Sequence, residues 1–158
     1  MLEAILNDFK LKFANGTYNF SVSQFDLLQE IFPLCTHQVE ISLLHREAFE
    51  NGILDQCQKW RIRPTAWSPL GGGLLLSPSE DSNISEAQRL IAELGEKYNA
   101  QPDQVLLAWL RKHPADIIPV LGSTQLSRIE NAKESLKINL THEEWYMLWQ
   151  AATGSEIA

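Results

Sequence analysis

Four short apolar segments, each closing on a polar or glycine-rich turn and leading into a stretch of helical periodicity, restrict this chain to a small set of folds. They end near Asn19, Gln38, Trp67 and Gly122, which leaves gaps of 19, 29 and 55 residues between successive ends. Two parallel neighbouring strands need a crossover of a dozen or more residues, usually a helix. All three gaps are long enough, and the last holds two helices. Strands that are apolar on both sides read as a parallel sheet buried on both faces. The spacing predicts an α/β fold.

The punctuation between the segments agrees. Ser21-Val22-Ser23-Gln24 fits a capping box, Phe25, Leu28 and Phe32 give one apolar face, and Pro33 stops the helix. A helix is expected over residues 45–60, weakened at Gly52. Residues 77–83 are polar, contain Pro78 and read as an exposed loop, after which Ser85-Glu86-Ala87-Gln88 forms a second capping box. Ala87, Leu90, Ile91, Leu94 and Tyr98 then recur at helical spacing. Pro102 suits the first turn of another helix, with Val105, Ala108 and Trp109 on one side. Residues 117–121 read as a buried strand, and the helix after it is expected to turn Leu126, Ile129 and Leu136 inward. Thr141 and Glu144 make a third capping box, with Leu140 and Trp145 set for a hydrophobic staple. Residues 1–15 fit least: Leu2, Ile5, Leu6 and Phe9 repeat at helical spacing, but no period continues to the first strand.

Composition bounds the function. Thirteen basic against 20 acidic residues leave a net charge of −7 with no basic block, a poor basis for binding nucleic acid or anionic lipid. No apolar run reaches the roughly 18–20 residues of a membrane helix, and the first nine residues, with Glu3 and Asp8, do not read as a secretory signal. Cys35 and Cys57 lack metal or redox spacing and read as reduced thiols, so a cytoplasmic location is expected. His37, His45, His113 and His142 are too scattered for a metal motif and are expected in solvated or capping roles.

In α/β folds of this kind ligands meet the carboxyl ends of the strands. Leu121-Gly122-Ser123-Thr124 leaves a strand and enters a helix, and Arg128 follows one turn in. The glycine admits close approach, the helix start favours an anion, and the guanidinium fork suits phosphate, although capping alone also explains the turn. Trp67-Ser68-Pro69-Leu70-Gly71-Gly72-Gly73 offers a flat indole beside a glycine run, either a stacking platform or a core residue with a loose turn. Gln38 could both donate to and accept from a carboxamide.

Together these pieces resemble the aldo-keto reductases, in particular bacterial oxidoreductases of that superfamily, from about Gly16 to the C-terminus. The resemblance rests on Gly16-Thr17-Tyr18-Asn19-Phe20-Ser21, Gln38-Val39-Glu40-Ile41-Ser42, Ala66-Trp67-Ser68-Pro69-Leu70-Gly71-Gly72-Gly73, and Ile118-Pro119-Val120-Leu121-Gly122-Ser123-Thr124 with Arg128-Ile129. It implies a (β/α)8 barrel that binds NADP(H) and reduces aldehydes or ketones by hydride transfer. By matched motif, Asn19 and Gln38 would hold the nicotinamide carboxamide and Trp67 would stack on its ring. Ser68, Leu70 and Gly71 would follow the pyrophosphate. Gly122, Ser123, Thr124 and Arg128 would surround the adenosine ribose and its 2′-phosphate, with Asn131 near the adenine. Tyr18 stands where the family pattern has Ser. The family's acid–base Tyr, with its Lys, Asp and His, has no counterpart here, so no catalytic and no metal-binding residue is assigned.

A complete barrel takes about 250 residues. The 158 residues are therefore expected to form a single partial domain, the C-terminal half of such a barrel with strands five to eight, with residues 1–15 poorly matched. Its expected ligand is the nicotinamide cofactor, with a small carbonyl substrate only where a complete barrel forms. Self-association or pairing with an N-terminal half is expected from the exposed inner face. The alternative reading is a non-catalytic nucleotide-binding or interaction module.

Overall fold

The computed structural model describes residues 16–154. The helical spacing at Leu2, Ile5, Leu6 and Phe9 lies outside that range. Strand β1 (Gly16–Tyr18) leads into α1 (Val22–Ile31), β2 (Thr36–Glu40), α2 (Glu47–Glu50), α3 (Ile53–Trp60) and β3 (Arg63–Trp67). A 3-10 turn over Gly71–Leu76 precedes α4 (Ser82–Tyr98), α5 (Pro102–Arg111), β4 (Ile118–Pro119), α6 (Leu126–Glu134), a second 3-10 turn (Ser135–Lys137) and α7 (His142–Thr153). The four strands form one parallel sheet in the order β1-β2-β3-β4. Parallel strands joined through helices are the α/β arrangement that the spacing predicts.

Strand alternation sorts the side chains. Thr17, His37, Val39, Pro64 and Ala66 are buried on one side, while Tyr18, Gln38, Thr65 and Trp67 are more open on the other. The expectation of a sheet covered on both faces therefore holds for one face among the described residues. The same alternation corrects the reading of His37 as solvated or capping. It is fully buried, stacks on Phe25 at 5.1 Å, and its Nε2 accepts the Phe20 N–H at 3.2 Å.

The main core lies between the covered face and the helices. Ile91, Leu94, Leu106, Trp109, Leu110, Leu140 and Leu148 are all buried there. Trp109 and Trp145 lie parallel at 5.1 Å, and each indole N–H donates to the other residue's carbonyl at 3.0 Å. The staple residues Leu140 and Trp145 share this cluster. Both outer capping boxes form, with Ser21 and Gln24 on α1 and Thr141 and Glu144 on α7.

Four local expectations differ from the structure. The buried strand expected over residues 117–121 is only Ile118–Pro119, and Val120 and Leu121 beyond it are exposed where the chain turns to the cavity rim. The helix over residues 45–60 is two helices, because Gly52 takes a left-handed φ of 84° between α2 and α3. Helix α4 starts a turn earlier than Ser85, because the Asp81 carboxylate accepts both the Asn83 and the Ile84 N–H. On α6, Leu126 and Ile129 face out, as does Leu136 in the turn that follows, and the small Ala132 makes the buried contact instead. Among the described residues no helix is long and apolar enough to cross a membrane.

Candidate cofactor site

The carboxyl ends of β3 and β4 open onto a cavity of about 1220 Å³. Trp67, Ser68 and Leu70 line it on the β3 side, and Val120, Gly122, Ser123 and Arg128 line it on the β4 and α6 side. The local backbone builds this rim. Ser68 takes a φ of 51°, and Gly71, Gly72 and Gly73 follow at 60°, 66° and 84°. A side chain at Gly71 would also press on Leu44 at 3.2 Å, so this turn requires glycine on two counts. Just past the β3–β4 pairing, Val120 N–H donates to Ala66 C=O at 2.8 Å, which holds the β4 turn against β3.

Trp67 also lines a smaller cavity of about 330 Å³ with Asn19, Phe20, Glu40 and His45. Asn19, at a φ of 50°, accepts the Trp67 indole N–H on Oδ1 at 2.9 Å, and its own N–H donates to Gln38 C=O at 2.9 Å. Asn19, Gln38 and Trp67 thus cluster at adjoining strand ends, although Gln38 lines neither cavity. Gly71 and Thr124 sit beside lining residues without lining the large cavity. Asn131 is set back from it: Nδ2 donates to Asp103 at 2.7 Å, and Oδ1 accepts from Gln104 at 2.8 Å.

Sequence reasoning missed Asp103, the carboxylate that lines the same cavity as Arg128. It sits in the first turn of α5, and no local motif ties that turn to the distant β4 loop. Gln88 also lines the cavity, while its amide reaches back to Leu74 C=O at 3.0 Å.

A nicotinamide dinucleotide fits this set in kind. One cavity is lined by the Trp67 indole, the Arg128 guanidinium and Gly72, Gly73 and Gly122, where an added Cβ would meet nothing within 4 Å and the backbone is open to an anion. Tyr98 OH donates to Glu144 at 2.7 Å within the α7 cap, Tyr146 rests edge-on against Trp145, and Tyr18 stacks on Trp67.

The chain is 39% identical over 159 residues to a 6-dehydroglucose reductase of Agrobacterium fabrum, covering 99% of this chain and 52% of that protein. It is 37% identical to the oxidoreductase YdhF of Escherichia coli, over 90% of this chain and 48% of the relative. The chain spans about half the length of the curated relatives it matches. A crystal structure of a thermostable aldo-keto reductase in complex with the inhibitor epalrestat superposes with a TM-score of 0.78 at 22% identity, covering 95% of this chain and 53% of that one. That likeness shows a shared fold. The model of the aldo/keto reductase family matches residues 14–152, and the chain belongs to that family.

Proposed function

We propose that this chain is the NADP(H)-holding half of a barrel reductase, corresponding to strands five to eight. The observation that carries the reading is one cavity that joins Trp67, Ser68 and Leu70 to Gly122, Ser123 and Arg128. In this reading Trp67 stacks on the nicotinamide, and Asn19 and Gln38 orient its carboxamide. The Ser68–Gly71 turn follows the pyrophosphate, and Ser123, Thr124 and Arg128 take the 2′-phosphate. Asn131 supports this end from behind through Asp103 and Gln104. When bound, the reduced cofactor supplies a hydride to an aldehyde or ketone carbon.

Isothermal titration with NADPH and NADH tests the reading. NADPH should bind more tightly, and Arg128→Ala should erase most of that preference. Equal affinities in the unaltered chain would remove the role of Arg128.

Carbonyl reduction by these 158 residues alone should be negligible. The family's Tyr, Lys, Asp and His have no match in them, and a missing general acid typically costs about 10²–10⁴-fold. Steady NADPH oxidation with a panel of aldehydes, abolished by Trp67→Ala, would overturn this. Oxidised sugars belong in that panel, since one relative is named for 6-dehydroglucose. The open sheet face and the outer edges of β1 and β4 would be covered by a second copy or by the barrel's other half.

A further inference from the structure

Strands β1 and β3 are separated by β2, a span of about 9.6 Å at the usual strand spacing. Yet the rings of Tyr18 and Trp67 are 6.1 Å apart between centroids and inclined by only 27°. Both side chains project from the open face, and they lean towards each other across β2, where Gln38 is the register partner of Tyr18. The Trp67 indole is pinned at its other end, because its N–H donates to Asn19 Oδ1. Tyr18 has no such tether among its described contacts and is 56% exposed.

A flat ring held between two others needs about 7–8 Å between the outer planes, twice the contact distance of carbon on carbon. The centroid separation of 6.1 Å is an upper bound on the plane spacing here, so no third ring fits between Tyr18 and Trp67 as they stand. The indole is held by its bond to Asn19, whereas the Tyr18 hydroxyl makes no described hydrogen bond that would hold the phenol in place. Any ring that stacks on this face of Trp67 must therefore displace Tyr18.

We propose that Tyr18 is a specificity-determining residue that occupies the stacking face of Trp67 and competes with the nicotinamide ring for it. This rests on the cofactor reading above and adds to it a built-in competitor. Such a contact weakens every ligand that needs the indole face, and leaves untouched any ligand that binds only the Arg128 end.

The test is titration calorimetry on the 158-residue chain with two probes, NADPH and adenosine 2′,5′-bisphosphate, which lacks the nicotinamide. An aromatic pair of this kind holds the ring by enough to change affinity about 2- to 10-fold. Tyr18→Ser should bind NADPH more tightly by that factor and adenosine 2′,5′-bisphosphate equally well. Tyr18→Phe, which keeps the ring and drops the hydroxyl, should match the unaltered chain with both probes. Because Tyr18 is exposed, both variants are expected to unfold with the unaltered chain's cooperativity. If the bisphosphate binds but Tyr18→Ser leaves NADPH affinity unchanged or weakens it, the competition is refuted and the cofactor site stands. Tightening by Tyr18→Phe would also refute it, by assigning the effect to the hydroxyl. If neither probe binds any of the three proteins, the cofactor reading and the competition fall together.

Discussion

Asn19 performs three tasks at one position, and each depends on its being asparagine. Its backbone is left-handed at a φ of 50°, its N–H extends the β1–β2 ladder to Gln38, and its side-chain oxygen accepts the Trp67 indole N–H. Asn and Asp tolerate that conformation, whereas alanine there costs about 1 kcal/mol or more. The lost indole bond adds roughly 0.5–1 kcal/mol. Asn19→Ala should therefore unfold at least about 1.5–2 kcal/mol more easily in urea, and Asn19→Asp, which keeps both the backbone tolerance and the acceptor, should stay within about 0.5 kcal/mol. Equal midpoints for the two variants would show that the turn is held by its backbone ladder alone. The two ends of this bond are 48 residues apart. The motif around Asn19 was legible in the chain, but its partner was not, since nothing in a linear pattern says which strand ends meet.

At the level of elements, the start of α7 shows how a local signal becomes a measurable stability. Burial raises the Glu144 carboxyl, but bonds from Lys97 Nζ at 2.6 Å, Tyr98 OH at 2.7 Å and the Thr141 N–H at 2.7 Å outweigh it and bring the pKa down to about 2. An ordinary value of 4.5 in the unfolded chain means that the unfolded state takes up the proton first as pH falls. The contribution is complete above pH 4.5 and is lost as pH falls from there towards 2. Its size is up to about 3 kcal/mol, reduced by the exposure of Lys97. Glu144→Gln should flatten that part of the acid limb in urea titrations and lower stability at neutral pH; an unchanged limb would assign the loss elsewhere. A shallower fall begins higher, below about pH 6.5, because burial holds His37 and His113 neutral while the unfolded chain charges them. The boxes at Ser21 and Thr141 were readable because the cap and its partner lie three residues apart. The start of α4 misled because Ser85 and Gln88 match the same pattern, while the Asp81 carboxylate one turn earlier satisfies two amides. On α6, a run of Leu and Ile does not tell which side meets the core. Gln104 bonding to Asn131 and the small Ala132 set that helix's orientation instead.

Across the whole molecule, the buried core and the proposed cofactor site occupy different places. The buried aromatic cluster of Trp109 and Trp145, with Phe49 and Trp149 packed on it, ties α5 to α7, whereas Trp67 ends β3, Ser68 and Gly122 follow strand ends, and Arg128 lies in the first turn of α6. The exposed Arg128 should be replaceable by alanine within about 0.5 kcal/mol of stability. Leu148, fully buried in α7, should lose about 2–5 kcal/mol on the same change. Binding of NADPH to the folded chain at a hundredfold excess over its dissociation constant adds about 2.7 kcal/mol, whatever the stability it is added to. If the core and the site are independent, that increment is the same for the unaltered chain and for Leu148→Ala, as expected for distant sites without shared partners. Urea unfolding of both proteins with and without NADPH, at one concentration set to a hundred times the unaltered chain's dissociation constant, measures the two increments directly. A smaller increment in Leu148→Ala, by more than about 0.5 kcal/mol, would mean that the packing of α7 extends through α5 to the Asp103 side of the cavity. Equal increments would place the work of holding the fold, on α5 and α7, apart from the proposed cofactor site at the strand ends.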